Sequence, residues 1–543
     1  MHQNHAVTRR GFVAGGLAST ALAALAGCGK KNAGSSEGGT GAGGTLKYYI
    51  NNPVAIDPYN TQEDQGTQVE HILFDALTDY DWAKGAVVPK AAESWESNDD
   101  DTEFTFHLVK GAKFHNGDAV DAKAFKRGFE RICDPDMPTP SEINYHLAPI
   151  VGYEEMLSKK AKELSGVTCP DENTLVIKLN APMADFPTVC SHPALAPVPQ
   201  AALDDPASFL KHPIGNGPFM MDGDWVADQY INVKRFDDYY GEKAKLGAIN
   251  FSIQKDPTTA FREFEGGNLD MAQIPTGRFG EISEKYGKSE DGYTVTKGHQ
   301  VLTGAELSVY YLAVNCEKIT DATVRHAISL AINRQNICDT LFEGTRTPAD
   351  SVFPKILDPG MDNSWPDCKY DKAAAQKLVD DNNLAGTEIT LSYNSGGGHE
   401  DIMSIIQSDL EAVGFKVTQE SQEWASYLTK LGDGSFQMGR LGWIADYPTM
   451  DNFIYPNFYS TADNNYSKYN NPAVDKAIDE ARQITDEDKR KEAFRAINKT
   501  LGEDMPIIPL MFYSHNWVGS SRIEKLYLDP QSKVDFATAS IQA

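Results

Sequence analysis

From residue 104 to 108 the chain alternates apolar and polar side chains, Phe-Thr-Phe-His-Leu, and then meets Lys110-Gly111. A period of two that ends at glycine predicts a half-buried strand closing in a turn. Asn173-Thr-Leu-Val-Ile-Lys-Leu179 repeats the pattern and predicts a second strand. Over 400–413 the period changes. Ile402, Ile405, Ile406, Leu410 and Val413 share one face at helical spacing, and Gly414 stands where a C-terminal cap belongs. Phe415-Lys-Val-Thr then alternates as a strand, and 473–484 and 486–501 predict two further helices. Helices and strands in alternation, with no repeat period, predict α/β layers. At 543 residues the chain exceeds what one core can serve, so two or three domains are expected.

The first 44 residues follow no such pattern. Arg9-Arg10 precedes a 17-residue run, Gly11 to Gly27, rich in Gly and Ala and shorter than the roughly 20 residues a spanning helix needs. The run ends in Leu25-Ala26-Gly27-Cys28, so residues 1–27 read as a signal peptide of lipoprotein type. Its small residues admit a peptidase, and the Cys28 thiol is the expected lipidation site. The arginine pair resembles a twin-arginine signal, and an ordinary basic n-region of the general secretory route stays open. Residues 28–44 then form a tether, with seven glycines among the 16 residues after Cys28 and a coil reach of roughly 20–24 Å. Gly41, Gly43 and Gly44 are no phosphate loop, since no strand precedes them and no Lys-Ser/Thr follows.

Charge narrows the partners. The formal charge is −27, and beyond residue 27 it is 48 − 77 = −29, because that leader holds two basic and no acidic residues. So acidic a surface has nothing with which to neutralise phosphates, so no nucleic-acid partner is expected. Contact with a membrane is expected only through the lipid anchor. Six cysteines follow Cys28, at 133, 169, 190, 316, 338 and 368, without a CxxC pair or a His-x-x-x-His, so no metal site is expected. An even number in an exported chain favours disulfides, with 15 connectivities possible and Cys338–Cys368 the first pair to test. No Gly-x-Ser-x-Gly elbow, HExxH or P-loop occurs, so the chain carries no evident catalytic kit and implies no cofactor. His192, near Cys190 in a proline-rich stretch, reads as loop packing, and Asp99-Asp100-Asp101 as a solvated turn.

Several ordered motifs then carry a resemblance. Pro89-Lys-Ala-Ala-Glu-Ser-Trp95 leads through Glu103–Leu108 to Gly111-Ala-Lys-Phe-His-Asn-Gly117 and Ala122-Lys-Ala-Phe125. Pro213-Ile-Gly-Asn-Gly-Pro-Phe219 with Trp225, Arg235-Phe-Asp-Asp-Tyr-Tyr-Gly241, the segment from Asp321 to Arg334, and Gly442-Trp443-Ile-Ala-Asp446-Tyr447 follow in order. Across about 45–520 the chain resembles the peptide- and nickel-type family of ABC-importer solute-binding proteins, and most its oligopeptide-binding branch. The resemblance implies two α/β lobes joined by a hinge, with an extra domain: lobe I from 45–80, 205–300 and 506–543, domain II from 81–204, and lobe III from 301–505. Ligand would lie buried where the lobes close, and the protein would work as a monomer with importer permease subunits.

Any peptide offers the same backbone and the same two termini. The backbone can be held as an added strand, the amine by a buried carboxylate and the carboxylate by a cation. By resemblance Asp446 is the amine ligand, Arg440 and His399 meet the carboxylate end, and Trp424, Trp443 and Tyr447 line the pocket. The family's acidic position near 61–64 lands on Gln62 or Glu63. Two cationic contacts of that branch fall on Phe342 and Leu431, with Arg346 and Lys430 as the cations that could replace them. The same family also includes binders of dipeptides, nickel chelates and haem, which form the alternative reading.

Overall fold

The computed structural model describes residues 43–542 except 62, 138 and 140, so Cys28 and the leader lie outside the described residues. Three larger sheets organise the fold. A seven-stranded sheet runs in the order Val301–Leu302, Trp517–Gly519, Met271–Gln273, Thr45–Ile50, Ala248–Ile253, Tyr230–Arg235 and Phe219–Met221. Thr45–Ile50 lies parallel to both of its neighbours there. An antiparallel sheet of four strands follows the order Ala92–Ser97, Glu103–Leu108, Thr174–Lys178 and Val167–Asp171. It contains both strands expected from alternation, and the polar turn before Glu103–Leu108 places Asp101 at φ 53.

The third sheet has six strands: Thr347–Pro348, Ile507–Ser514, Ala305–Val314, Met438–Ile444, Glu388–Asn394 and Lys416–Gln422. Nine of the ten residues in Ala305–Val314 are buried, as a central strand covered on both faces must be. Glu388–Asn394 and Lys416–Gln422 pair in parallel and are bridged by the helix His399–Glu411. Of the stripe expected from its sequence that helix buries Ile402, Ile406 and Leu410, while Ile405 is half-buried and Val413 is buried just beyond the helix. Gly414, at φ +102, makes the turn into the next strand. The last long helix, Glu487–Asp504, starts at the capping carboxylate of Asp486 and stops at Met505, which is left-handed at φ 49 just before Pro506.

Buried apolar residues gather around these sheets. One core draws on 307–512, one on 77–195 together with Tyr447, and a third on 46–302 and 523–541. The chain passes between the first and third at two adjacent points, where His515 N–H donates to the Gly304 carbonyl at 2.8 Å. None of the six described cysteines is paired. The Cys338–Cys368 expectation therefore fails, although both side chains belong to one core. The Cys368 thiol turns toward the Ala349 carbonyl, 3.2 Å away. Burial pushes the Cys338 thiol up to about 12 and that of Cys368 to about 11, so both stay protonated and unreactive. No helix of the described residues is long and apolar enough to cross a membrane.

Candidate ligand-binding site

Asp446 follows the strand Met438–Ile444 by two residues and is built into a network from three parts of the chain. Its Oδ2 accepts from Tyr145 Oη at 2.6 Å and from Asn452 Nδ2 at 2.8 Å. Asn452 also accepts, through Oδ1, from the Asp446 N–H at 2.9 Å and from Trp443 Nε1 at 3.1 Å. Gln531 Nε2 donates to the Asp446 carbonyl at 2.8 Å. These bonds fix the carboxylate rigidly and leave Oδ1 without a hydrogen-bond donor among the described residues. Among the described residues no lysine or arginine lies within salt-bridge distance of it, and its side chain is only 17% exposed. A nearly buried carboxylate that lacks a cation is an expensive arrangement unless something else supplies the positive charge.

Two imidazoles face it. His146 Nε2 stands 3.9 Å from Oδ2 and His192 Nε2 stands 3.9 Å from Oδ1. The two rings stack with centroids 4.4 Å apart. Burial holds His146 down to about 4 and His192 well below its usual range, so both are neutral near pH 7. The three side chains present ligand atoms within 4.8 Å of one another, which is a metal-like grouping. The tautomer argues against that use. Ala194 N–H donates to His192 Nδ1 at 3.1 Å, which places the ring proton on Nε2 and leaves no lone pair facing the group. His192 thus packs in its loop as expected, capping the turn Pro193–Leu195, and also directs an N–H toward Asp446.

A second group lies on the same sheet. Arg440 sits within Met438–Ile444, with its guanidinium carbon 4.8 Å from the Tyr310 ring centroid. It donates to Asn394 Oδ1 at 3.1 Å and to Tyr513 Oη at 3.4 Å, and its buried Nε has no partner. Gly442 is what admits Tyr513, because a Cβ there would fall 2.7 Å from the phenol oxygen. His399 opens the helix His399–Glu411 after Gly396, Gly397 and Gly398, all at positive φ (84°, 69° and 75°). Its Nδ1 lies 3.1 Å from Tyr310 Oη. Burial, with Arg440 and Arg346 adding to it, keeps the ring neutral.

Arg346 joins this group, its guanidinium carbon 4.0 Å from the Phe342 ring centroid and 4.5 Å from that of Tyr513. Neither Arg346 nor Arg440 has a carboxylate within 4 Å among the described residues. Lys430, by contrast, is paired with Glu420, and Leu431 is fully buried in the core.

The other expected residues serve the frame. Trp424 starts the helix Trp424–Gly432 beside Tyr427, which donates to the Arg440 carbonyl at 2.7 Å. Trp443 is half-buried and tied to Asn452. Tyr447, 4% exposed, packs in the core drawn mainly from 77–195, its ring 5.8 Å from that of His146. Glu63 caps the helix Asp64–Leu73, accepting from the N–H groups of Val54, Gln65 and Gly66. With both oxygens so engaged and burial raising it to about 7, it is a structural carboxyl. Sequence reasoning missed Tyr145, His146, Asn452 and Gln531. They lie between 6 and 301 positions from Asp446, and only Asn452, just inside the Thr449-capped helix, left any local trace.

The sequence model described as bacterial extracellular solute-binding proteins, family 5 Middle, matches residues 86–465. The periplasmic oligopeptide-binding protein OppA of Salmonella typhimurium is 26% identical over 488 residues, covering 86% of this chain and 87% of its own. OppA of Bacillus subtilis is 25% identical over 505 residues, 90% of each chain. Among solved structures, the Escherichia coli murein tripeptide binding protein MppA superposes with a TM-score of 0.81 at 26% identity, over 92% of this chain and 99% of its own. Haemophilus influenzae OppA in complex with RPPGFSPFR gives 0.79 at 25% identity, over the same shares. A profile match over most of the length, with a two-lobed α/β fold shared along nearly the whole described chain, shows that this protein belongs to the bacterial extracellular solute-binding proteins of family 5.

Proposed function

We propose that the protein is the extracytoplasmic binding component of an ABC importer, capturing oligopeptides by their backbone and two termini and delivering them to the permease. It binds and does not catalyse. In this reading residues 1–27 direct export, Cys28 carries the lipid and 28–44 tether the binding lobes to the membrane. Lobe I comprises 45–80, 205–300 and 506–543, domain II 81–204 and lobe III 301–505. The relatives named above are oligopeptide binders, and one neighbour holds a nonapeptide, which supports the ligand class.

One observation carries the reading. Among the described residues, a carboxylate without a cation and two cations without a carboxylate lie in or beside strands of one sheet, with six residue steps from Arg440 to Asp446. At about 3.3 Å per step the span is no more than about 20 Å. A zwitterionic, extended peptide of up to about six residues complements both ends. Its ammonium would meet Asp446 Oδ1 and its carboxylate the guanidinium pair. Tyr145, from the core drawn mainly from 77–195, donates to Asp446 after the strand Met438–Ile444, so the amine site joins distant parts of the chain, as closure around a ligand requires. Native mass spectrometry of the protein as purified tests this: the reading expects released peptides with free termini. A ligand population of blocked peptides or non-peptide solutes would refute it.

A further inference from the structure

The carboxylate end holds two guanidinium groups, and among the described residues neither has a carboxylate within 4 Å. Arg346 and Arg440 share Tyr513, one guanidinium over its ring and the other on its hydroxyl. Phe342 and Tyr513 both lie against the Arg346 guanidinium. Among the described residues its N–H donors find only Met511 Sδ, at 3.8 Å. Arg440 Nε is buried and unpartnered. The Glu306 carboxylate acts on Arg346 from beyond salt-bridge distance, and it already accepts from Ser308 (3.3 Å) and lies 3.1 Å from His515 Nδ1. His399, the third polar group here, is neutral and contributes no charge.

We propose that this end of the site selects peptides with two negative charges at the C-terminus, namely those ending in Asp or Glu. One carboxylate engages Arg440 and the second takes the in-plane fork of Arg346. The proposal rests on the peptide reading above. Guanidinium and carboxylate are both planar and pair through two parallel N–H···O bonds, so a guanidinium held against two rings, with no carboxylate partner of its own, is organised for a carboxylate. A single terminal carboxylate would leave one half-buried cation without a carboxylate partner, which costs affinity. The two missing cations of the branch, at Phe342 and Leu431, fit this account. A site that spreads cations along its length reads several ligand lengths, whereas two cations around one tyrosine read one end strongly.

Calorimetry with the full mature protein tests the idea on tri-, tetra- and penta-alanine and on the same peptides with the last residue changed to Glu or to Gln. The wild type should bind the best Glu-ended peptide about ten- to a hundredfold more tightly than its Gln-ended match, the range for a hydrogen-bonded charge. In Arg346→Gln that ratio should fall to within about twofold, while Arg346→Lys, charged but unable to form the fork, should lie between. Equal affinity for Glu and Gln endings in the wild type overturns the proposal without any variant. A ratio that survives in Arg346→Gln overturns it as well. If no alanine peptide with free termini binds, the peptide reading itself fails. If they bind without preference, only the present inference does.

Discussion

Replacing Asp446 by asparagine keeps the side chain's shape and removes one charge, and the surrounding bonds decide which way the new amide points. Tyr145 and Asn452 both donate to Oδ2, so the amide oxygen must take that place. The amide nitrogen then occupies the position of Oδ1 and presents donors to a ligand ammonium that itself has only donors. The variant thus loses a nearly buried charge pair and gains an unfavourable contact. Removing one partner of such a pair costs roughly 3–5 kcal/mol, or about two to three and a half decades in Kd. N-acetylating the peptide removes the other partner and should cost the wild type about as much. In Asp446→Asn the acetylation penalty should drop below about tenfold, because no buried carboxylate remains to be left unpaired. Calorimetry with penta-alanine and its N-acetyl form against both proteins measures the coupling. If the two effects simply add, Asp446 does not meet the amine and the assignment of the site is wrong.

Three further outcomes follow from the same structure. Arg346→Met should raise the urea midpoint of the ligand-free protein, since it removes a half-buried cation that has no carboxylate partner among the described residues, while weakening peptides with a free C-terminus by about tenfold or more; a lowered midpoint with unchanged affinity would contradict this. His115 is held neutral, down to about 4 by burial, accepting from Gly215 N–H at 3.1 Å and lying 3.1 Å from the Gly217 carbonyl. Its folded pKa is below the unfolded value near 6.5, so its stabilisation is present above 6.5 and lost as pH falls toward 4. The stability difference between wild type and His115→Gln should therefore shrink by about 3 kcal/mol across that window and stay constant above pH 7. Finally, alkylation under denaturing conditions should find the thiols at 133, 169, 190, 316, 338 and 368 all free, and a reductant should leave the melting temperature unchanged; a mass showing any intramolecular disulfide would contradict the structure.

What could be read from the sequence was local. The alternating run at 104–108 and the stripe Ile402, Ile406, Leu410 became the strand and helix expected of them, because each pattern reports one face against one core. Helix ends shifted by a few residues where caps decided them, as at Asp486 and Met505. The Asp446 segment was recognisable from its motif, but its partners were not. Tyr145 and His146 reach it only through packing between two cores, and such contacts leave no periodicity. The cysteines misled for a related reason: evenness and export suggest pairing, yet each buried thiol is satisfied as a small apolar side chain. Glu63 illustrates the limit of position-matching, since a carboxyl in the expected region spends both oxygens on a helix terminus.

The central claim is that the site reads both ends of a peptide, through Asp446 at the amine and the Arg440–Arg346 pair at the carboxylate. Its most direct measurement is calorimetry of one peptide in four forms: penta-alanine with free termini, N-acetylated, C-amidated, and blocked at both ends. The account predicts that each single block weakens binding by about tenfold or more and that the doubly blocked peptide shows no measurable heat of binding. Four equal affinities would contradict it, because the uncompensated charges at the two ends of the sheet would then play no part in holding the ligand.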